Sequence, residues 1–154
     1  MADLVYKHGG TSLCYKHGGT ALCCKGVKAG NCTVQIDWTP ATWICQTYNV
    51  EHNITFTCDD AFTGGTGTIS KSISGTSVVF TLSNVSRNAV FTITFSADSG
   101  CSSNEDPGVR ANFVAAQSGA APQMRNDAPV PFGPVPSATI TVTFDANAKL
   151  SGIS

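Results

Sequence analysis

The sequence predicts an all-β protein: an antiparallel β-sandwich or jelly roll of about eight strands, preceded by an extended N-terminal arm. The first observation is that apolar and polar residues alternate in short runs from Thr33 onward, with turn residues between the runs. The second is that no segment has the apolar spacing of an amphipathic helix. Residues 1–32 lack the alternation and are rich in glycine and cysteine. We therefore divide the chain into an arm, residues 1–32, and a β-sandwich domain, residues 33–154.

The arm contains a tandem repeat: YKHGGTSLC, residues 6–14, is followed directly by YKHGGTALC, residues 15–23, and then by Cys24. Each copy has a Gly-Gly pair, which disfavours a helix because glycine loses the most backbone entropy on folding. In one continuous strand the nine-residue offset places Cys14 and Cys23 on opposite faces, whereas in a polyproline-II ribbon they lie on the same side. Few aliphatic residues are present to offset the ordering entropy. We expect a metal, a disulfide or another subunit to order the arm.

In the sandwich domain, the alternating runs predict strands at 33–38, 42–50, 54–58, 68–73, 78–82, 91–95, 109–116 and 140–144. Turn residues after the fifth run predict a hairpin over 76–96, and residues 59–67 are predicted to be a loop. Residues 117–137 hold five of the seven prolines, so this Pro-rich connection before the last strand cannot be a central strand or a helix. A last strand on so long a tether can join its own sheet or a neighbour's sheet.

Composition argues against two classes of partner. Charged residues make up 12% of the chain and the formal net charge is -1, so we expect no nucleic-acid partner. No run approaches the roughly 18 apolar residues of a membrane-spanning helix, so we expect no membrane span. Seven cysteines favour an oxidising location, extracellular or on a cell or spore surface. The opening Met-Ala-Asp-Leu-Val does not resemble a leader peptide, which indicates prior removal of a leader, release by lysis or an unusual route.

The odd number of cysteines indicates that at least one thiol is free or bonded to another chain. Cys23 and Cys24 are adjacent, with Cα atoms about 3.8 Å apart, closer than the roughly 4.4–6.8 Å of a disulfide. We expect them to bond different partners. The candidates for disulfides between subunits are Cys14, Cys23, Cys24 and Cys101.

Three cysteines are candidates for bonds within the sandwich. Cys45 and Cys58 lie on neighbouring predicted strands and form the expected internal pair. Cys101, in a polar loop, can reach either Cys32 or an incoming arm. The competing interpretation is that all the cysteines are buried or free thiols.

A metal site is a second interpretation of the arm. The spacing Cys14-x-x-His17 resembles that of small zinc sites, where thiolate and imidazole ligands suit the ion. The paired C-x-x-C of many zinc sites is missing. The competing interpretation is that the histidines pack and form hydrogen bonds at an interface. The candidate ligands for zinc or another metal, the one cofactor considered, are His8, Cys14, His17 and Cys23.

Catalytic signals are absent from the sequence, and we expect a protein that is not an enzyme. His52 and Cys58 lie at opposite ends of one predicted strand, roughly 20 Å apart at 3.3 Å per residue, too far to form a thiolate-imidazole pair. Three aromatic residues are candidates for a sugar-stacking platform, with burial in the core as the competing interpretation: Trp38, Trp43 and Tyr48.

The pair Cys23-Cys24, preceded by a Gly-rich arm and followed by alternating strands, resembles the plan of the endospore appendage subunits. In that family a flexible arm inserts into a neighbouring subunit and is fixed there by disulfides, which gives a resistant extracellular fibre. The resemblance implies the same assembly for this chain. This chain differs in its doubled YKHGG unit, in the mid-chain position of Cys101 and in having no cysteine near its C terminus.

We therefore predict a structural subunit that self-assembles through its arm into an extracellular filament or appendage, with disulfides between copies. Contacts that join unlike surfaces and do not close into a ring generate helical filaments. One alternative is a secreted carbohydrate- or metal-binding sandwich of the adhesin kind. Another is a virion coat protein, which nucleic acid in the particle would distinguish.

Overall fold

The computed structural model describes residues 30–98, 100–101, 109–129 and 137–154, together with strand residues 4–5, 12–17 and 20–25. Every regular element in these ranges is a β-strand, so none of them supplies an apolar helix of membrane-spanning length. The predicted all-β fold, an antiparallel sandwich, is confirmed by two sheets that share one core.

The strands are numbered in chain order. They are β1 (Leu4–Val5), β2 (Ser12–His17), β3 (Thr20–Lys25), β4 (Cys32–Thr39), β5 (Thr42–Cys45), β6 (Val50–Asn53), β7 (Thr55–Gly64), β8 (Thr68–Ser74), β9 (Ser77–Ser83), β10 (Val90–Asp98), β11 (Arg110–Gln117), β12 (Gln123–Pro129), β13 (Ser137–Phe144) and β14 (Leu150–Ile153).

Two antiparallel sheets form the sandwich. One has the order β14-β13-β10-β7 and the other has the order β12-β11-β4-β9-β8. The chain crosses between the sheets after β4, β7, β9, β10 and β12, while β8–β9, β11–β12 and β13–β14 are hairpins within one sheet. The β5–β6 hairpin is a separate two-stranded sheet between β4 and β7. The topology therefore places β4, β10, β11, β13 and β9 inside the sheets and leaves four strands at the edges.

The core lies between the two sheets because each inner strand turns every second side chain towards the other sheet. Four fully buried phenylalanines dominate it, two from each sheet. β10 supplies Phe91 and Phe95, while β9 supplies Phe80 and β11 supplies Phe113. The ring centroids of Phe95 and Phe113 lie 5.4 Å apart, and those of Phe80 and Phe91 lie 5.7 Å apart. Such ring pairs contribute about 0.5–1.5 kcal/mol each beyond their buried area.

The predicted hairpin over 76–96 is wrong. β9 pairs with β4 and β8, whereas β10 pairs with β7 and β13 in the other sheet. Both strands have the alternating burial of inner strands, and alternation alone does not distinguish strands that pair from strands that face each other. The connection between them has two asparagines with positive φ, Asn84 at 51° and Asn88 at 53°, a conformation that asparagine tolerates.

Two of the predicted strands have different bounds in the structure. The run 42–50 is a hairpin, because Asn49 with φ 50° belongs to a turn that separates β5 from β6. The short run 54–58 extends to Gly64 as β7, so most of the predicted loop 59–67 is strand. Polar residues at alternate positions of β7 face solvent, which gives an edge strand the composition of a loop.

The Pro-rich connection 117–137 contains β12, and a further strand follows β13. β12 pairs with β11 alone and ends at Pro129, as expected for an edge strand that contains proline. β14 pairs with β13, so the strand that begins at Ser137 is not the last one. The segment between β12 and β13 lies outside the described residues.

The arm forms a sheet of its own with the order β1-β2-β3. The two copies of the repeat are neither one continuous strand nor a polyproline-II ribbon: they pair as antiparallel strands, with His17 opposite Thr20 and Cys14 opposite Cys23. The nine-residue offset that separates the two cysteines along one strand thus brings them into register across two strands. None of the three strands hydrogen-bonds to either sandwich sheet.

Candidate functional site

The first candidate site comprises the cysteines of the arm and of the sandwich, together with the residues near Gly30, where the sandwich begins. Cys45 and Cys101 form a disulfide, with Cα atoms 5.8 Å apart and 56 residues between them in sequence. The predicted pair of Cys45 with Cys58 is therefore wrong, as is the assignment of Cys101 to a bond between subunits. Cys58 is a free thiol. The disulfide joins the end of β5 to the connection between β10 and β11.

Cys32, the first residue of β4, is fully buried and free. Its thiol lies 3.9 Å from the carbonyl oxygen of Thr33, to which it donates a weak hydrogen bond. Burial raises the pKa of the Cys32 thiol to about 11, because the thiolate would lose its hydration. Since the thiolate is the reactive form, Cys32 is a structural residue in this fold. The bond considered for it, with Cys101, does not form, because Cys101 is bonded to Cys45.

Cys58 lies on the edge strand β7, where it faces the core and is partly buried. Burial raises the pKa of its thiol to about 11, with the Lys71 ammonium acting against this shift and Asp60 and Asp59 adding to it. The Lys71 ammonium donates to the Cys58 carbonyl oxygen at 3.3 Å and to the Asp60 carboxylate at 2.7 Å. This ion pair connects β8 to β7 at one open side of the sandwich.

The raised pKa of Cys32 and Cys58 favours the protonated thiol at both positions. The remaining three cysteines lie in the arm. Cys14 occurs in β2, and Cys23 and Cys24 occur in β3. The register sets Cys14 opposite Cys23 and Leu13 opposite Cys24. Sequence reasoning missed this arrangement because it treated the repeat as one extended segment.

The proposed metal ligands are only partly within the described residues. His8 lies outside them. Cys14 and His17 occur three positions apart on the continuous strand β2, and such positions lie on opposite faces of a strand. That placement does not favour chelation of one ion by the Cys-x-x-His unit. Where the structure describes the chain, no group of three or more potential ligands is close enough to hold a metal.

The three aromatic residues of the predicted sugar platform do not share one surface. Trp38 is 5% exposed and stacks on Phe56 across the core, with ring centroids 4.5 Å apart. Tyr48 is 61% exposed in the β5–β6 turn. Trp43 is half-buried, and its indole Nε1 is buried without a hydrogen-bond partner among the described residues. Burial of Trp38 in the core removes it from the predicted platform.

A groove of about 510 Å³ lies along the β5–β6 hairpin. One of its lining residues, Pro40, follows a cis peptide bond. Gln46, Glu51 and Trp43 also line the groove. A ring face next to amide and carboxylate groups suits a ligand with both apolar and hydroxyl surfaces, so this groove is the second candidate site.

Sequence analysis missed the residue that fixes the point where the arm leaves the sandwich. Gln117, at the end of β11, is only 6% exposed. Its side-chain amide donates to the carbonyl oxygens of Gly30 at 2.9 Å and Ala148 at 3.2 Å, and its amide oxygen accepts from the Leu150 N–H at 2.6 Å. The signal in the sequence was a glutamine in phase with the buried positions of β11. Such a buried polar residue must be paired.

The sandwich has two open sides where edge strands lie. β7 and β8 occur at one side, and β12 and β14 occur at the other. Edge strands present unpaired backbone groups that another strand can bind. On β8 nearly every side chain is exposed, including Ile73 at 61%. Comparisons with protein families, with curated proteins and with solved structures found no match to this chain.

Proposed function

We propose that this chain is a non-enzymatic structural subunit that assembles through its N-terminal arm into an extracellular filament, with disulfides between subunits. The observation that supports the proposal is that, among the described residues, the arm strands form a sheet of their own and join neither sandwich sheet. The partners are other copies of the same chain, and the resemblance of Cys23-Cys24 to the arm of endospore appendage subunits supports the same assembly.

The two sheets of the sandwich enclose a core between them. We infer that the arm, whose strands pair with one another, is available for contacts outside its own chain. By contrast, the only aliphatic side chains of the repeat larger than alanine are those of Leu13 and Leu22. A small sheet of this kind is marginal in water without further apolar contacts. Docking on a neighbouring subunit supplies those contacts.

The edges of the sandwich offer acceptor surfaces for such docking. β8 has an unpaired edge, and its exposed serines give no steric or charge barrier except at Lys71. An arm strand that joins this edge in a second subunit extends the five-stranded sheet. Since the donor strand and the acceptor edge are different surfaces, each subunit can bind one neighbour and be bound by another. A contact of this kind that does not close yields a filament.

Thiol chemistry favours the arm as the source of the cross-links. Cys45 and Cys101 are already bonded to each other, and burial raises the pKa of both Cys32 and Cys58 to about 11. Thiolates attack disulfides, whereas neutral thiols do not. The bonds between subunits are therefore drawn from the three cysteines of the arm: Cys14, Cys23 and Cys24.

Electron microscopy with non-reducing gels tests the proposal. Native protein alkylated at harvest should give filaments and disulfide-linked dimers or larger multimers without reductant, and should give monomer bands with reductant. A variant with serine at all three arm cysteines should lose the linked species. The matched control, Cys32→Ser with Cys58→Ser, should keep them. A single monomer band from unreduced native protein would contradict the proposal, and nucleic acid in the particles would favour a virion coat.

A second candidate function is carbohydrate binding in the groove along β5–β6. It is favoured by the half-buried Trp43 ring beside Gln46 and Glu51, a combination that suits stacking and hydrogen bonding to a sugar. A glycan array probed with protein that is monomeric by light scattering distinguishes the two functions. Binding that is lost in Trp43→Ala and retained when the arm cysteines are replaced by serine would favour a binding module.

A further inference from the structure

We propose that Cys14 and Cys23 of the same chain form a disulfide across the repeat hairpin, so that each chain closes its own tandem repeat covalently. The two copies of the nine-residue unit are then the two strands of one disulfide-closed hairpin. This inference concerns a single chain and is independent of whether the chains polymerise.

The strand register carries the inference. β2 and β3 are antiparallel, and Cys14 is the register partner of Cys23. Directly opposed residues in antiparallel strands share one face, with Cα atoms about 4.5–5.5 Å apart. A disulfide requires Cα atoms roughly 4.4–6.8 Å apart, so this position satisfies the main geometric condition. The adjacent residues Cys23 and Cys24, about 3.8 Å apart, do not.

The length of the repeat explains the register. The hairpin strands end at His17 and resume at Thr20, and the two residues between them in sequence are glycines. Gly-Gly is among the pairs favoured in two-residue hairpin loops. With this loop position and a nine-residue unit, the cysteine that closes the first copy meets the cysteine that closes the second. A unit one residue longer or shorter would place a different residue opposite Cys14.

The same register leaves Cys24 without a cysteine opposite it, because its partner position is Leu13. Cys24 is then the thiol of the arm that remains available to a second chain. This assignment, unlike the Cys14–Cys23 bond, rests on the proposed function. It also accounts for the odd number of cysteines, since two internal bonds and two buried thiols leave one cysteine.

The chemistry requires an oxidant, for which we name a small-molecule disulfide such as oxidised glutathione. The Cys14 or Cys23 thiolate attacks it to form a mixed disulfide and releases one thiol. The second cysteine of the pair then attacks the mixed disulfide, forms the Cys14–Cys23 bond and releases the second thiol. The two cysteines lose two electrons and two protons, and the oxidant is reduced to two thiols.

Peptide mapping of isotopically mixed protein tests the inference. Full-length chain labelled with ¹⁵N is mixed with unlabelled chain while reduced and unfolded, refolded with oxidised and reduced glutathione, alkylated and digested with trypsin without reduction. Cleavage after lysine separates residues 8–16, which contain Cys14, from residues 17–25, which contain Cys23 and Cys24. We expect the two peptides to be linked, with both halves light or both halves heavy.

Two single variants identify which cysteine of the adjacent pair is used. Cys24→Ser should keep the linked peptide, and Cys23→Ser should lose it. The link between residues 29–71 and 88–110, which reports the Cys45–Cys101 bond, is the internal control for folding in every sample. A bond that joins residues 8–16 of one label to residues 17–25 of the other label would overturn the inference, because the Cys14 bond would then join two chains. Two other results would also overturn the inference. One is recovery of residues 8–16 only as the alkylated free thiol. The other is a link that is retained in Cys23→Ser and lost in Cys24→Ser. Filaments need not form for any of these outcomes.

Discussion

The sandwich and the N-terminal arm are both built from antiparallel strands, but they differ in what stabilises those strands. In the sandwich each sheet covers the apolar face of the other, and phenylalanines from both sheets meet in the core. The arm has a hydrogen-bonded ladder over six register pairs between β2 and β3, and few aliphatic residues larger than alanine. The comparison teaches that a ladder specifies which strands pair, whereas burial supplies most of the free energy that keeps them paired.

Amide hydrogen exchange gives the largest expected contrast between the two regions. In reduced, monomeric protein, the amides of β2 and β3 should exchange faster than those of β4 and β10 by about three orders of magnitude or more, because only the latter open with the global core. Mass spectrometry of the exchanged chain measures this contrast. In assembled protein the arm should gain protection. Equal protection of arm and core in the monomer would contradict the comparison.

Truncation of a core ring should show how much the sandwich depends on burial. Phe113→Ala removes a fully buried ring that contacts Phe95 across the sheets, and it should lower the free energy of unfolding by about 3–5 kcal/mol. Ile73→Ala, at an exposed position of β8, is the matched control and should change it by less than about 0.5 kcal/mol. Guanidinium unfolding followed by fluorescence measures both. Similar losses in the two variants would show that the core is not where the structure places it.

Loss of the Cys45–Cys101 disulfide should have the next largest effect. Replacing both cysteines by serine frees the β5–β6 hairpin from the β10–β11 connection and should cost about 2–4 kcal/mol of stability. Unfolding of the double variant and of the wild-type chain in reductant should agree, since both lack the bond. A double variant as stable as the oxidised wild-type chain would contradict this role.

Two glycines sharpen the comparison between packing strain and backbone strain. A Cβ at Gly67 would clash with the Phe62 ring, so Gly67→Ala should cost about 1–3 kcal/mol through overpacking. Gly75 has φ 55° and no atom within 4 Å of an added Cβ, so Gly75→Ala should cost only about 1 kcal/mol, the backbone term alone. Thermal unfolding of the two variants checks the order. The reverse order would show that the Phe62 ring moves aside.

The pH dependence of the buried thiols should be the smallest effect. The pKa of Cys32 and of Cys58 is raised from 9.0 to about 11, so the folded state holds their protons where the unfolded state has lost them. Stability contributed by the neutral thiols is therefore present below pH 9 and decreases as the pH rises from about 9 to about 11. Iodoacetamide labelling at pH 8 should be slow at both residues in folded protein. Labelling as fast as in guanidinium would contradict their burial.

The sequence predicted the fold class and which residues of each strand face the core, because alternation directly reports which side of a strand is buried. It correctly placed Phe91, Ile93 and Phe95 on one buried face. It did not find the sheet to which each strand belongs, because β9 and β10 have the same alternation although they occur in facing sheets. That assignment depends on the crossing connections, whose asparagines are compatible with a hairpin turn and with a crossing alike.

The cysteines illustrate the same limit. Spacing along the chain suggested a bond between Cys45 and Cys58, but the turn at Asn49 reverses the strand and the hairpin brings Cys45 to Cys101 instead. The buried amide of Gln117 was also missed, since its three backbone partners come from segments far apart in sequence. Contacts between segments far apart in sequence can be predicted only when the order of strands in each sheet is known. A single sequence does not contain that order.

The position of β4 has a mechanical consequence. The arm leads directly into this strand, which is central in its sheet and is laddered to β11 on one side and β9 on the other. Tension applied through the arm acts along β4 and loads both ladders in shear, so their hydrogen bonds must fail together rather than unzip one after another. Gln117, whose side-chain amide donates to the carbonyl oxygen of Gly30, shares this load at the start of β4.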